Sequence, residues 1–279
     1  VEGLSFGPET MRVFVMGTVS GVALLSEQEL PGIDPVALDC DTGGRIFVAD
    51  GSTGAIVRVE KDGANPYEAG RVEGKRPSGL AVNSTSGDLF VALEGSPSLK
   101  TISKRRRAAE AITGPGPLGT LRFQGSDLYA AAGGLHRLVD LKLTSAYAKG
   151  VRAGRIASFD LDAIALWALL EEDGSTQLFR IDSKGNRDGV GAPTGIARLD
   201  RPAHVRLDGE GSGWVVDSPI EAPQRVLIFS RKGEFVRAFR LPDASSRVVD
   251  LARGVRRRMA AVTASQPGVP ARILRFVGF

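Results

Sequence analysis

The sequence predicts an all-β chain folded as a single β-propeller spanning residues 1–279, on two observations. Short strand-like runs return at a near-constant spacing. Glycine, 35 of 279 residues, falls with proline, aspartate and serine between those runs, where tight turns are needed. No stretch shows a convincing helical period, and the intervals leave no room for the crossover helices of a parallel sheet.

The repeat is clearest early in the chain. Pro35-Val36-Ala37-Leu38-Asp39-Cys40, Arg45-Ile46-Phe47-Val48-Ala49-Asp50 and Ala55-Ile56-Val57-Arg58-Val59 form three runs of strand character, bounded by turn residues. The same order precedes them from Glu2 to Leu25. It follows them from Pro77 to Ile102, and again from units beginning near Leu121, Phe159, Val205 and Val249. Taking Leu4, Leu38, Leu80, Leu121, Phe159, Val205 and Val249 as equivalent, the steps run from 34 to 46 residues. Their mean, about 41, is the length of one propeller blade. Seven inner-strand candidates predict seven blades of three to four antiparallel strands. Six is the alternative, if the first unit donates its strands to the last blade.

Trp167 and Trp214 fall in second strands, where a large ring fills space between blades. Cys40 takes an inner-strand position suited to a small apolar side chain. As the single cysteine it excludes an intrachain disulfide. No apolar run approaches the ~20 residues of a membrane helix. The net charge of +4 is too small for a dedicated nucleic-acid binder, and the arginine clusters lack the neighbouring aromatics that stack bases. The chain opens at Val1, which fits a trimmed or processed form and leads to the expectation of a periplasmic or secreted protein.

Gly79-Leu80-Ala81-Val82, a glycine turn, Phe90-Val91-Ala92 and a further strand resemble the NHL-repeat and gluconolactonase-like propellers, with residues 35–63 and 200–243 the clearest copies. That resemblance concerns the fold and covers almost the whole chain. It implies, for the enzymes among those proteins, a divalent cation in the axial channel held by a Glu of the first unit and by Asn and Asp of later inner strands. Glu2 stands in the matching Glu-Gly context. The rest departs from the pattern: Ser78 precedes Gly79 where Asn is expected, and Asn83 lies past the strand. The resemblance to streptogramin lyases would imply several axial histidines, whereas this chain has only His136 and His204. No nucleophile elbow, phosphate-binding loop or His-Glu-x-x-His motif occurs.

In a propeller the loops between first and second strands (A–B) and third and fourth strands (C–D) share one face. The B–C and D–A loops share the other. Lys104, Arg105, Arg106, Arg107, Arg253, Arg256, Arg257 and Arg258 are therefore assigned to the A–B/C–D face, with Lys184, Arg231 and Lys232. Asp50, Glu94, Glu171, Glu172, Asp173, Asp217 and Glu221 go opposite, with Pro219, Pro223, Pro267 and Pro270 in two longer loops. The functional expectation is a non-catalytic scaffold that binds a protein partner, for which an acidic surface would be suited, through the basic face. It uses no cofactor and no nucleic acid. The alternative is a metal-dependent lactonase or hydrolase using Glu2.

Overall fold

The computed structural model describes residues 22–60, 65–103, 108–140, 142–145, 155–192, 194–220, 222–241, 247–254 and 258–278. These form six four-stranded antiparallel sheets. The first described strand, β1 (Val22–Leu30), belongs to the last blade. Blade one is β2 (Pro35–Cys40), β3 (Ile46–Asp50), β4 (Ala55–Val59) and β5 (Tyr67–Arg71). Blade two is β6 (Pro77–Val82), β7 (Leu89–Leu93), β8 (Ser98–Ile102) and β9 (Ala108–Thr113). Blade three follows as β10 (Leu121–Gln124), β11 (Asp127–Ala131), β12 (Leu135–Val139) and β13 (Lys142–Ser145). Blade four is β14 (Arg155–Leu161), β15 (Ala165–Glu172), β16 (Ser175–Asp182) and β17 (Arg187–Gly189). Blade five is β18 (Pro202–Leu207), β19 (Gly213–Asp217), β20 (Arg225–Phe229) and β21 (Phe235–Arg240). Blade six is β22 (Val248–Arg253), β23 (Arg258–Thr263) and β24 (Ala271–Gly278), completed on its outer edge by β1.

That last pairing fixes the blade number at six rather than the favoured seven. Val22 pairs with Gly278 and Leu30 with Ala271, so the run read as a third strand of a first unit is the fourth strand of the last blade. Joining the two ends of the ring by a hydrogen-bonded ladder leaves neither β1 nor β24 as an open edge toward the other. An ion pair between Arg272 and Glu27 (2.8 Å) lies across the same seam. The run around Leu4 lies outside the described residues. Register also moves the last repeat anchor: Leu251 faces Ala261 as Leu38 faces Val48, so Leu251 and not Val249 is the equivalent residue.

Side-chain alternation along each strand explains how the blades adhere. On β3, Ile46 and Val48 enter a cluster shared with blade six, while Phe47 and Ala49 enter one shared with blade two. A strand buried on both faces reads as a near-continuous apolar run, as Ile46-Phe47-Val48-Ala49 does. Six such clusters fill the six inter-blade seams. Trp167 and Trp214 lie fully buried on second strands, as expected. Trp167 presses so closely on blade five that a Cβ at Gly213 would lie 2.6 Å from its ring, so that position requires glycine.

Candidate functional site: the axial channel

One position after the repeat anchor, the inner strands carry charged residues in four blades and, in the other two, Ala81 and Ala252, which pack in inter-blade clusters. In blades one to six the residues there are Asp39, Ala81, Arg122, Asp160, Arg206 and Ala252. Two residues earlier, nearer the D–A end, stand Ala37, Gly79, Thr120, Ser158, His204 and Asp250. Charged side chains thus come together from five of the six blades, and Asp39, Arg122, Asp160, Arg206 and Asp250 are all buried. Such burial is tolerated only when opposite charges and hydrogen bonds compensate the lost hydration.

The compensation is detailed. Asp39 accepts the Val82 N–H of the next blade (2.9 Å) and pairs with Arg206. Asp160 accepts the Leu207 N–H of its next blade and the Leu161 N–H, each at 2.9 Å. Asp250 accepts Leu38 N–H across the ring seam (3.0 Å), Leu251 N–H (2.8 Å) and Arg122 Nη2 (3.3 Å). Ser158 follows the same rule with a hydroxyl, accepting Val205 N–H at 3.2 Å. Blade-to-blade hydrogen bonding near the axis therefore runs from side-chain oxygens to amides of the neighbouring inner strand.

The arginines work in the opposite sense. Arg206 donates Nε to Leu251 O (2.9 Å) and also lies 3.6 Å from Asp160. Arg253 donates Nε to Leu207 O (2.9 Å), with its Nη2 3.6 Å from Asp160. Arg122 reaches from blade three to Asp250 in blade six. Three carboxylates thus face three guanidiniums. Burial pushes the Asp160 carboxyl up, but Arg206, Arg253, Arg122 and the Leu207 amide outweigh it and hold it below the ordinary value. Burial likewise pulls Arg206 down, and Asp160, Asp39 and Asp250 raise it above the ordinary arginine value.

His204, with Nδ1 4.0 Å from Asp250, stands beside this network. Burial lowers its pKa, Asp250 opposes that effect, and Arg122 and Arg247 add to it, so the imidazole sits below its ordinary 6.5 and is neutral at pH 7. His136 lies on the third strand of blade three, away from the axis. Cys40 packs against the seam between blades one and six, and burial first, then Asp39 and Asp41, push its thiol up to about 12. It is a protonated packing residue. Ser78 donates to Leu118 O (3.2 Å), and Asn83 accepts the amides of Thr85 and Ser86 in a hairpin turn. Among the described residues, no three His, Cys, Asp or Glu are grouped to hold a metal ion.

The remaining expected site residues divide sharply. Glu2, Lys104, Arg105, Arg106, Arg107, Arg256, Arg257 and Glu221 lie outside the described residues. Arg258 is exposed at the start of β23, whereas Arg253 turns inward to the axial network. Arg231 pairs with Asp162 at 2.9 Å. Its face also carries Asp41, Asp182 and Asp208, each accepting backbone amides of its own hairpin. On the opposite face, Asp50 and Asp217 are buried acceptors in loops, not free surface charge.

The axial residues were missed by reading the repeat for its apolar positions. Their signal lies one column along: after the anchors Leu38, Leu121, Phe159 and Val205 come Asp39, Arg122, Asp160 and Arg206. Charged residues on strands that are otherwise apolar on both faces can only be paired with one another.

Fold and axis define a six-bladed propeller whose channel is bridged by paired charge. No protein-family model matches the chain, and no curated protein matches it. Among solved structures, it is similar to PQQ-bound aldose sugar dehydrogenase from Streptomyces coelicolor, with TM-score 0.65 and 15% identity, covering 92% of this chain and 97% of that one. It is also similar to virginiamycin B lyase from Staphylococcus aureus, with TM-score 0.60 and 14% identity over 92% and 100% of the two chains. A third likeness is to luciferin-regenerating enzyme, with TM-score 0.64 and 14% identity over 91% and 95%. At such identities these likenesses establish the fold, in keeping with the resemblance read from the repeat.

Proposed function

We propose that this chain is a non-catalytic propeller that docks a protein partner, within a cell-envelope or secreted assembly. The supporting observation is the commitment of the axial carboxylates. A cation site needs several oxygen ligands with free lone pairs converging on one point, and a general base needs one aimed at substrate. Asp39, Asp160 and Asp250 instead each accept from a neighbouring blade's amide and face an arginine. Freeing any of them would leave a buried guanidinium without its counter-charge, at a cost of about 3–5 kcal/mol. Partner binding then falls to the loops, which propellers hold on a rigid frame. The basic residues Arg258 and 104–107 are part of this proposal as a steering surface for an acidic partner.

The test is calorimetric titration of the purified chain with Ca²⁺ and Mn²⁺, beside a lactone and ester hydrolysis screen in the same buffers. No saturable metal binding and no turnover are expected. Stoichiometric binding abolished by Asp39→Asn or Asp160→Asn, with metal-dependent hydrolysis, would overturn the reading and favour the lactonase.

A further inference from the structure

The two most exposed large apolar side chains among the described residues are Ile220, 82% exposed, and Ile196, 63% exposed. They lie on neighbouring loops of one face. Ile196 is in the D–A connection from β17 to β18, and Ile220 in the B–C connection from β19 to β20. We propose that these loops form a docking site for an extended segment of a partner protein carrying aliphatic or aromatic side chains beside Asp or Glu.

The loops are built to hold their shape. Asp217, fully buried at the end of β19, accepts the amides of Asp200 (2.9 Å) and Arg201 (2.8 Å) from the adjoining loop. Arg225 donates to Asp217 (2.9 Å) and to the Arg198 carbonyl (2.6 Å), so one ion pair with a fully buried carboxylate fastens both loops. Within the first loop a turn closes through Arg198 N–H to Gly195 O (3.2 Å), and half-buried Leu199 packs against the core while Ile196 is exposed. In the second, Gln224 binds Ser218 Oγ (2.8 Å) and accepts Val248 N–H of blade six (2.6 Å). An isoleucine displayed on a loop fixed in this way has little ordering entropy left to lose on binding, the condition under which an apolar anchor adds most affinity.

Charge selects the occupant. Arg201 and Arg247 are exposed at the starts of the inner strands of blades five and six, and neither forms an ion pair among the described residues. The described carboxylates beside them are occupied: Asp200 pairs with Arg198 and Arg225, and Asp217 with Arg225. Two cations with no ion pair among the described residues, Arg201 on the loop of Ile196 and Arg247 beside Val248, which bonds Gln224 of the Ile220 loop, match a segment of opposite charge with apolar anchors, and repel a basic one.

This inference rests on the reading that the chain docks a protein partner, and it places the contact on the B–C/D–A face, opposite the basic A–B/C–D face that carries Arg258. Its test is selection of a phage-displayed library of random dodecapeptides on the immobilised chain, followed by affinity measurement of the strongest peptide. Enriched sequences should combine Leu, Ile or Phe with Asp or Glu. Affinity should fall about tenfold or more in Ile196→Asp/Ile220→Asp and in Arg201→Glu/Arg247→Glu, while the melting temperature holds. Enriched peptides that bind these variants unchanged, or that are basic, would overturn the placement and leave the docking reading standing. No enrichment at all would overturn both.

Discussion

Two Asp–Arg systems built on buried carboxylates use the same chemistry for different ends in this propeller. At the axis, Asp39 pairs with Arg206 and accepts an amide from the next blade, Val82. At the rim of blade five, Asp217 pairs with Arg225 and accepts amides from the adjoining loop, Asp200 and Arg201. The first ties blades together, and the second stiffens two loops that display isoleucines. Charge inside this chain is spent on architecture. Among the described residues, Arg201 and Arg247 form no ion pair, and both are exposed beside those braced loops.

The largest expected effect comes from breaking the axis. Arg206→Ala leaves Asp39 and Asp160 buried beside a lost cation and should cost about 3–5 kcal/mol in urea unfolding. Breaking the rim should cost less: Asp217→Ala strips acceptors from two loop amides and Arg225, about 2 kcal/mol. Limited proteolysis should then cut within residues 190–201, a site that Arg206→Ala leaves no more exposed than the rest of the chain.

A smaller effect sharpens the axial account through pH. The His204 imidazole is held below 6.5, so between pH 7 and 5 the unfolded chain takes up a proton that the folded chain refuses. Stability must therefore fall as pH is lowered through that window, and His204→Gln should flatten the slope. The Asp160 carboxyl, held low, keeps its contribution above the ordinary carboxylate pKa and loses it only in stronger acid. The smallest effect is Ile220→Asp, which should leave unfolding within about 0.5 kcal/mol of the parent because the side chain touches little of the fold.

The seams between blades were legible because Leu38, Leu80, Phe159 and their neighbours repeat with strand alternation, and alternation is a local signal. Ring closure was not. Whether Val22–Leu30 begins a new blade or finishes the last one depends on its pairing with Ala271–Gly278, some 250 residues along the chain. The axial network was hidden for the same reason. Arg122 and Asp250 meet across 128 positions of sequence, so nothing local marks either as half of a pair. Arg253 was grouped with its surface neighbours because it adjoins Arg256 and Arg257 in sequence. Its position at the end of an inner strand turns it toward Leu207 and Asp160 instead.

The most direct test of the central claim is a double-mutant cycle on Asp39 and Arg206, using Asp39→Leu and Arg206→Met, read in unfolding free energy and in affinity for the selected dodecapeptide. If the axis serves architecture and the rim serves docking, the pair should couple by about 1–3 kcal/mol in stability, with peptide affinity unchanged in every folded variant. Coupling near zero, or affinity that falls with the axial substitutions, would contradict it.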